Sequence, residues 1–365
     1  MKKICIDARL YGIKHTGIGR YVTNLIRYLP AKPGYQVVLI VAPENYSEPE
    51  LSKYKKYTAR LHPYNPFSQI EMLLLWVRIK PDLLHVPHFS IPVFWPGKLI
   101  VTIHDLIKNY SKGRDTTTKN QMIYYLKYAG YIFVLKSALK RAQKILVPAK
   151  YWQEILVRDY ALDKTDVVVT YEGVDASIKP SGEDKKFEIP SPFVVYTGNL
   201  YPHKNVPLLL QSIKLLRGKV KLAIVCARSV FTSRLEKMVK TYNLEKDVYF
   251  LGKLTDTEIS SLYLQADMFV FPSLIEGFGL PGLEAMSVGL PVIAARASCL
   301  PEVYKDAAIY FTPTDAKDLK DKIELLLSDP KIRRRLIDKG QKLVKSYSWS
   351  KMAKETWNEY QKILH

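Results

Sequence analysis

The sequence predicts an α/β fold in which two doubly wound parallel sheets of the Rossmann type follow one another along the chain. Short apolar runs alternate with segments of helical periodicity, as they do in β-α-β units. A polar, proline-containing stretch at 176–192 interrupts this alternation and is typical of a linker. The 365 residues exceed what one hydrophobic core usually holds and suffice for two domains.

The first half, residues 1–175, is predicted to form one sheet with its helices. Its apolar runs are short and bounded by turn residues, as in QVVLIVA at 36–42, which is typical of strands buried on both faces. The predicted strands are residues 2–7, 36–42, 83–86, 99–103, 145–147 and 166–170, and the predicted helices are residues 17–29, 116–142 and 150–160.

The second half, residues 193–346, continues the alternation without repeating the sequence, so any likeness between the halves would be one of architecture. The final segment, 347–365, carries apolar residues at helical spacing and is predicted to be a terminal helix. The predicted strands of the second half are residues 193–197, 220–225, 248–251, 268–271, 291–294 and 308–311.

The composition is that of a globular protein from a reducing compartment. Hydrophobic residues make up 47% of the chain, and its three cysteines are too few and too scattered for a disulfide framework or a metal site. The apolar run after Lys3 is too short for a secretory signal, and no uninterrupted apolar run is long enough to cross a bilayer. We therefore expect a cytoplasmic protein that is not integral to a membrane.

The net charge of +20 is unevenly distributed. Between Ile107 and Gln153, ten lysines and arginines face a single acidic residue, Asp115, and aromatic residues are interleaved with them. The usual explanation is a helix with one face in the core and its lysines in water, and the alternative is a helix at a lipid surface. Nucleic acid is not expected as a partner, because no recognised binding motif accompanies the charge.

The stretch EGFGLPGLEAM at 276–286 places two glutamates around a glycine-rich turn that opens a short helix. Gly277 and Gly279 permit a sharp bend and a close approach to a ligand, while Pro281 suits the first turn of a helix. Gly289 is placed to end it. The pattern therefore predicts a short helix whose N-terminus follows the turn.

Such a helix directs its free N–H groups and the positive end of its dipole at the turn, where a diphosphate would bind. The sugar of a nucleotide sugar would then lie beside Glu276, and Glu284 would accept hydrogen bonds from ribose hydroxyls. The alternative is that Glu284 only complements the helix dipole and that Glu276 is a solvated loop residue. The motif by itself leaves both interpretations open.

The longer stretch EGFGLPGLEAMSVGLPVIA resembles the signature of the retaining glycosyltransferases of family 4, which have the two-domain GT-B fold. Several short blocks in the expected order are more specific than one pattern, and here they span nearly the whole chain. These blocks are GIGRYVTNL at 17–25, VTIHDL at 101–106, VVVTYEGVD at 167–175, FVVYTGNLYPHKN at 193–205, VYFLGKLTDTEISSLYLQADMFVFPS at 248–273, CLPEV at 299–303 and YSWSKMAKETWNEY at 347–360.

The resemblance implies roles for residues that follow the strands. Glu276 would orient sugar hydroxyls, His104 would lie beside the transferred sugar, and Lys204 would neutralise the departing diphosphate. For His85 and His88 a structural role is expected ahead of contact with the acceptor. The donor-binding residues implied besides Lys204 are Gly17, Gly19, Gly198, Asn199, Gly252, Lys253, Leu254, Gly277, Phe278, Gly279, Leu280 and Glu284.

Two positions depart from the family pattern. Many relatives carry an arginine where Asn199 stands, so either Lys204 acts with the helix dipole alone or another cation, such as Arg20 or Arg228, replaces it. Relatives usually show a serine within the segment that is Val-Pro-Ala at 147–149 here, which puts a hydroxyl contact from this loop in doubt.

The resemblance implies a retaining hexosyl transfer with front-face departure of the nucleoside diphosphate, whose phosphate takes the acceptor proton. The PHKN block favours GDP-mannose as donor, and a glycan or lipid-linked acceptor would bring the tract near 108–150 to an anionic membrane. The chain has no Asp-x-Asp pattern for a divalent cation, so no metal or other cofactor is expected. The alternatives are a UDP-sugar donor, a GT-B epimerase or phosphorylase, and a non-catalytic protein that binds sugar nucleotides.

Overall fold

The computed structural model describes residues 1–111, 120–174, 185–227 and 231–365, and these form two compact units. The first unit contains residues 1–106, 120–172 and 348–365, and the second contains residues 107–111, 173–174, 185–227 and 231–347. The predicted domain limits and linker stay predictions, since residues 176–184 lie outside the described part of the chain.

The first unit is built on a seven-stranded sheet. Its strands are β1 (Lys2–Ala8), β2 (Tyr35–Val41), β3 (Lys55–Thr58), β4 (Leu83–Val86), β5 (Lys98–Thr102), β6 (Lys144–Val147) and β7 (Val167–Val169). They lie in the order β3-β2-β1-β4-β5-β6-β7, and all neighbouring pairs are parallel. The direction of the chain across the sheet therefore reverses between β1 and β4, where the carboxyl ends of strands leave a crevice in folds of this class.

Helices cover both faces of this sheet, as right-handed crossovers require. The helices in the first half of the chain are α1 (Thr16–Tyr28), α2 (Ser68–Ile79), α3 (Ile107–Tyr110), α4 (Gln121–Arg141) and α5 (Lys150–Tyr160), of which α3 is counted with the second unit. The connection from β1 to β2 moves one way across the sheet, so its helix α1 lies on one face. The connections from β3 to β4, from β5 to β6 and from β6 to β7 move the other way, so their helices α2, α4 and α5 lie on the opposite face.

The sequence does not predict three of these elements: β3, α2 and the single-turn helix α3. Strand β3 has the sequence KKYT and lies at the edge of the sheet, so it lacks the apolar run that marks a buried strand. Helix α2, SQIEMLLLWVRI, is apolar on nearly all sides and leaves Ile70, Leu74 and Val77 exposed, so it shows no clear 3.6-residue period.

The helix predicted at 116–142 corresponds to α4, and the described part of the chain shows its first residue at Gln121. Helix α4 begins at Gln121, where the side chain of Asn120 accepts a hydrogen bond from the Met122 N–H and caps the first turn. Residues 116–119 of the predicted helix lie outside the described ranges.

The second unit repeats the architecture with a six-stranded parallel sheet in the order β10-β9-β8-β11-β12-β13. Its strands are β8 (Phe193–Thr197), β9 (Lys221–Val225), β10 (Val248–Gly252), β11 (Met268–Phe271), β12 (Val292–Ala295) and β13 (Ala308–Phe311). Its helices are α6 (Val206–Leu215), α7 (Thr232–Thr241), α8 (Asp256–Gln265), α9 (Leu280–Ser287), α10 (Leu300–Tyr304), α11 (Ala316–Ser328) and α12 (Pro330–Val344). The reversal here lies between β8 and β11, which are direct neighbours.

The terminal helix, α13 (Trp349–Leu364), belongs to the first unit and packs against α1. The indole of Trp357 is fully buried, and its ring centre lies 5.3 Å from that of Tyr35. Tyr360 reaches the sheet, where its hydroxyl lies 2.5 Å from Nδ1 of His85. Among the described helices, none is both long enough and apolar enough to cross a bilayer.

His85 lies in the core of the first unit, on strand β4. Its Nε2 is 2.9 Å from the Thr102 hydroxyl, and the residue is 0% exposed. Burial, and to a smaller extent His104 and His88, lower the pKa of His85 from 6.5 to about 3. The imidazole is therefore neutral in the folded protein and serves as a hydrogen-bonding core residue.

We predict that His85 makes the folded protein less stable in acid. Below pH 6.5 the unfolded chain takes up a proton at His85 that the folded chain refuses until about pH 3. The contribution of His85 to stability is intact above pH 6.5 and falls by about 1.4 kcal/mol for each pH unit below it.

The measurement is urea denaturation between pH 5 and pH 7 for the wild type and His85→Gln. The free energy of unfolding of the variant should depend less steeply on pH, because the contribution of His85 is absent. Equal pH dependence of the two free energies of unfolding would contradict a neutral buried His85.

Candidate active site

The turn at 276–279 leads directly into helix α9, as the sequence predicts. Gly279 is the N-cap with φ of 100°, a left-handed conformation that favours glycine, and Pro281 lies in the first turn. Gly289, with φ of 81°, follows the end of the helix, and the Leu290 N–H donates to the carbonyl of Ala285. A short helix with a fixed N-terminus is thus present where a diphosphate was expected.

Two buried side chains hold the carbonyl groups of this turn from one side. The thiol of Cys299 donates to the carbonyl oxygens of Glu276 at 3.3 Å and Phe278 at 3.5 Å, and the hydroxyl of Tyr304 donates to that of Gly279 at 2.6 Å. Burial, with a further contribution from the charge of Glu276, raises the pKa of both Cys299 and Tyr304, so both groups keep their protons.

Anchoring the carbonyls fixes the direction of the amides. In a trans peptide the C=O of one residue and the N–H of the next point in opposite directions. The N–H groups of Gly277, Gly279 and Leu280 therefore point away from the side on which Cys299 and Tyr304 lie. These donors lie at the start of α9, and N–H groups at the start of a helix are of the kind that binds phosphate oxygens.

Glu276 forms an ion pair with Lys204 beside this turn. Lys204 Nζ lies 2.6 Å from Glu276 Oε1, and the two side chains are only 13% and 9% exposed. The contact arises because Lys204 follows β8 and Glu276 follows β11, and the carboxyl ends of these neighbouring parallel strands lie at one edge of the sheet. The Glu276 N–H also donates to the hydroxyl of Ser298 at 3.1 Å.

The loop that carries Lys204 is itself fixed. The Leu274 N–H donates to the carbonyl of His203 at 2.8 Å, which ties the loop after β8 to the loop after β11. Burial and the neighbouring ammonium of Lys204 lower the pKa of His203 to about 4, so that this imidazole is neutral near pH 7. Lys204 is thus the charged member of this short segment.

The remaining predicted donor residues of the second unit lie at other strand ends. Glu284 is on α9 and is 7% exposed. The carbonyl of Asn199 accepts a hydrogen bond from the buried Tyr196 hydroxyl, which lies against Gly198. Gly252 ends β10 with φ of 70°, and the two residues that follow it face solvent fully or in part: Lys253 and Leu254.

In the first unit, His104 lies just beyond β5 and is held by hydrogen bonds at both ring nitrogens. Nε2 lies 3.0 Å from the carbonyl oxygen of Pro87, and Nδ1 lies 3.3 Å from Oε1 of Glu172, which is 5% exposed. The ring also meets Tyr21 edge to face at 4.7 Å. Glu172 was not predicted as a site residue, although its position after the last strand of the sheet was a signal.

The sequence also misses a buried charge cluster at the carboxyl ends of β1 and β4. Asp7 and Arg9 form an ion pair at 2.6 Å, with side chains 0% and 2% exposed, and His88 Nε2 lies 3.6 Å from the Asp7 carboxylate. The guanidinium lowers the pKa of Asp7 against the effect of burial. Arg9 also donates to the carbonyl of Leu61, so this cluster ties loops of the first unit together.

The glycines at the start of α1 have different surroundings. A Cβ on Gly19 would overlap the carbonyl oxygen of Gly12, so close packing explains this glycine. A Cβ on Gly17 would meet no atom within 4 Å. Two cations are candidates to replace the arginine that relatives carry at the position of Asn199. Arg20 is on α1 of the first unit, and Arg228 lies outside the described residues.

Two family models match the chain: "Glycosyltransferase Family 4" over residues 15–178 and "Glycosyl transferases group 1" over residues 181–343. The chain belongs to glycosyltransferase family 4. It is a transferase. Its two parallel-sheet units confirm the predicted GT-B fold, together with the likeness to a solved glycosyltransferase from Rickettsia africae ESF-5, which has a TM-score of 0.74 at 18% identity and covers 100% of this chain and 98% of its own.

Relatives of this glycosyltransferase include two bacterial mannosyltransferases. The O-antigen chain mannosyltransferase RfbU of Salmonella typhimurium is 28% identical over 80% of this chain and 77% of its own. The O-antigen chain mannosyltransferase B of Escherichia coli is 26% identical over 94% of this chain and 96% of its own. Anabaena Alr3699/HepE, solved in complex with UDP-glucose, matches with a TM-score of 0.75 at 16% identity, covering 99% of this chain and 100% of HepE.

We predict that Gly282→Ala destabilises the glycosyltransferase, because the new Cβ would overlap the hydroxyl and ring of Tyr304, which is 0% exposed and cannot move aside. The free energy of unfolding should fall by about 1–3 kcal/mol. Urea denaturation measures the change.

The matched control is Gly130→Ala on α4, where a Cβ meets no atom within 4 Å. This change should be neutral or slightly stabilising, since alanine is the better helix former. A Gly282→Ala protein as stable as the wild type would show that Tyr304 is not held against α9.

Proposed function

We propose that this glycosyltransferase moves a hexose from a nucleotide sugar to a glycan or lipid-linked acceptor, with retention of configuration and without a metal ion. The observation that carries the proposal is the set of amides of Gly277, Gly279 and Leu280 beside the Lys204–Glu276 pair. It supplies N–H donors and a cation for a diphosphate, and a carboxylate for the hydroxyls of the attached sugar.

Each residue then has one task in the proposed reaction. The amides from Gly277 to Leu280 bind the diphosphate, Lys204 stabilises its growing charge, and Glu276 orients the sugar hydroxyls. Glu284 binds ribose. His104 would accept a hydrogen bond from a sugar hydroxyl through its main-chain carbonyl, because both of its ring nitrogens already have protein partners. The C1–O bond to phosphate breaks, the acceptor oxygen bonds to C1 on the same face, and the acceptor proton passes to the leaving phosphate.

Metal-independent activity is supported by protein groups that can neutralise the charge of the diphosphate. Lys204 and the N-terminus of α9 both lie beside the turn, and the sequence lacks an Asp-x-Asp pattern. Among the described residues, no three His, Cys, Asp or Glu side chains are grouped as metal ligands would be.

GDP-mannose is our preferred donor. The names of the relatives RfbU and mannosyltransferase B support a mannosyl donor, as does the PHKN block. The second candidate is a UDP-sugar, which the complex of HepE with UDP-glucose favours. Two alternatives stay open: a GT-B epimerase or phosphorylase, and a non-catalytic protein that binds sugar nucleotides. Analysis of the products distinguishes the first of them from a glycosyltransferase.

We predict that the purified enzyme hydrolyses or transfers from one member of a panel of GDP- and UDP-sugars, with GDP-mannose the fastest. The rate should be the same in EDTA as in magnesium, because protein groups meet the charge of the leaving diphosphate. The measurement is NMR of the reaction, which follows the release of nucleoside diphosphate and the anomeric configuration of the released or transferred sugar.

The controls are Glu276→Ala and Glu284→Ala. The first should lower kcat by about 100-fold or more, and the second should mainly raise KM, since ribose contacts are alike in ground and transition states. Loss of turnover in EDTA with recovery in magnesium would contradict metal independence, and equal small effects of both substitutions would contradict the assigned roles.

We also propose that the protein contacts an anionic membrane through the tract near 108–150, whose described helix α4 belongs to the first unit, and that the acceptor is found there. Only the C-terminal half of α4 is buried, and Met122 and Leu126 in its first half are 77% and 75% exposed. The 21 residues of α4 include lysines and arginine but no Asp or Glu, so the helix complements anionic headgroups.

Neighbouring elements extend this apolar surface. Helix α2 lies on the same face of the sheet, and its Leu74 is 67% exposed. Phe94, in the loop from β4 to β5, is 69% exposed. That loop is hydrogen-bonded to Gln69 of α2 and Arg141 of α4, so it holds Phe94 between them. Exposed apolar patches of this kind are typical of docking sites.

We predict that a Met122→Glu/Leu126→Glu variant loses binding to vesicles that contain phosphatidylglycerol by at least tenfold, since two apolar contacts become charged. Cosedimentation with phosphatidylglycerol vesicles and with neutral phosphatidylcholine vesicles is the measurement. Leu264→Glu, at a 43% exposed position on α8 of the second unit, is the matched control. Binding of the double variant equal to that of the wild type would contradict the proposal.

A further inference from the structure

The ion pair between Lys204 and Glu276 joins two groups to which the proposed function gives different ligands. The ammonium would serve the diphosphate, and the carboxylate would serve the sugar. Yet their charged atoms lie 2.6 Å apart, with both side chains largely removed from solvent. A diphosphate that draws on the charge of Lys204 must therefore compete with a carboxylate that already neutralises it.

Resting on the proposed function, we infer that Glu276 has a second role, which is to weaken the binding of the nucleoside diphosphate product. With the intact nucleotide sugar, hydroxyls of the sugar donate to the Glu276 carboxylate and replace the hydrogen bond from Lys204. Once the sugar has been transferred, those donors are gone. The carboxylate then draws Lys204 back, and the diphosphate loses part of its counter-charge.

The surroundings of Glu276 strengthen this competition. The residue is 7% exposed, so water replaces a lost partner poorly, and a carboxylate left without donors in such a place is costly. Of the groups named above, Cys299 and Tyr304 are neutral donors engaged with carbonyls, and His203 is neutral near pH 7. Glu276 thus favours the intact donor over the product left after sugar transfer.

A supporting role for Glu276, in which it positions Lys204, predicts the opposite change in affinity for the nucleoside diphosphate. If the carboxylate only holds Lys204 in position for the diphosphate, removing its charge would loosen the lysine and weaken the binding of a nucleoside diphosphate. If it competes for the lysine, the same change frees the cation and strengthens the binding. The sign of one change in affinity separates the two roles.

The experiment is calorimetric titration of GDP and UDP into the full-length wild type, Glu276→Gln, Lys204→Met and the double variant. Glu276→Gln keeps the shape of the side chain and should bind the preferred nucleoside diphosphate about 5- to 30-fold more tightly. Lys204→Met should bind it more weakly. In the Lys204→Met background the change at Glu276 should have less than about a twofold effect, because the contested cation is gone.

The matched control is Asp247→Asn, which breaks the 2.5 Å ion pair of Asp247 with Lys221 in the same unit and removes the same charge. It should change the affinity less than about twofold, which excludes a general effect of net charge. GDP-mannose should gain less affinity than GDP in Glu276→Gln, because its sugar loses the carboxylate.

Glu276→Asp provides a second test that keeps the charge and shortens its reach, and its affinity for nucleoside diphosphate should lie between those of the wild type and Glu276→Gln. Unchanged or weaker binding of GDP and UDP by both variants would overturn the inference and leave the proposed function standing. Failure of the wild type to bind either nucleotide would overturn the proposed function and the inference with it.

Discussion

The candidate site depends on the fixed direction of the peptide groups between Glu276 and Leu280. Cys299 and Tyr304 hold the carbonyls of this turn on one side, and both keep their protons because burial raises their pKa values. The planar trans peptide then presents the N–H groups on the other side. In the proposed function the main chain thereby supplies the phosphate site, with the dipole of α9 adding to it.

Charged side chains complete the site because of sheet topology. The reversal of chain order between β8 and β11 makes these strands neighbours, so the loops that carry Lys204 and Glu276 meet at one edge. Placing a cation and a carboxylate together in a poorly solvated corner costs little only while each neutralises the other. A ligand that separates them must supply both an anion and hydrogen-bond donors, which is the chemistry of a nucleotide sugar.

Most of the fold could be predicted from the sequence, because buried parallel strands are short apolar runs and α9 has glycine and proline at its ends. The edge strand β3 and the apolar helix α2 lack such signals. The pairing of Lys204 with Glu276, 72 positions apart, depends on strand order, which periodicity does not reveal. The same holds for Glu172 beside His104 and for the anchoring role of Cys299, which is visible only in the folded chain.

The most direct test is a crystal structure of the full-length enzyme with a bound nucleotide sugar. Diphosphate oxygens should lie about 2.7–3.2 Å from the amide nitrogens of Gly277, Gly279 or Leu280, with Cys299 and Tyr304 still hydrogen-bonded to the carbonyls on the other side of the turn. A diphosphate bound away from the start of α9, or a turn whose carbonyls have swung round to face the ligand, would contradict it.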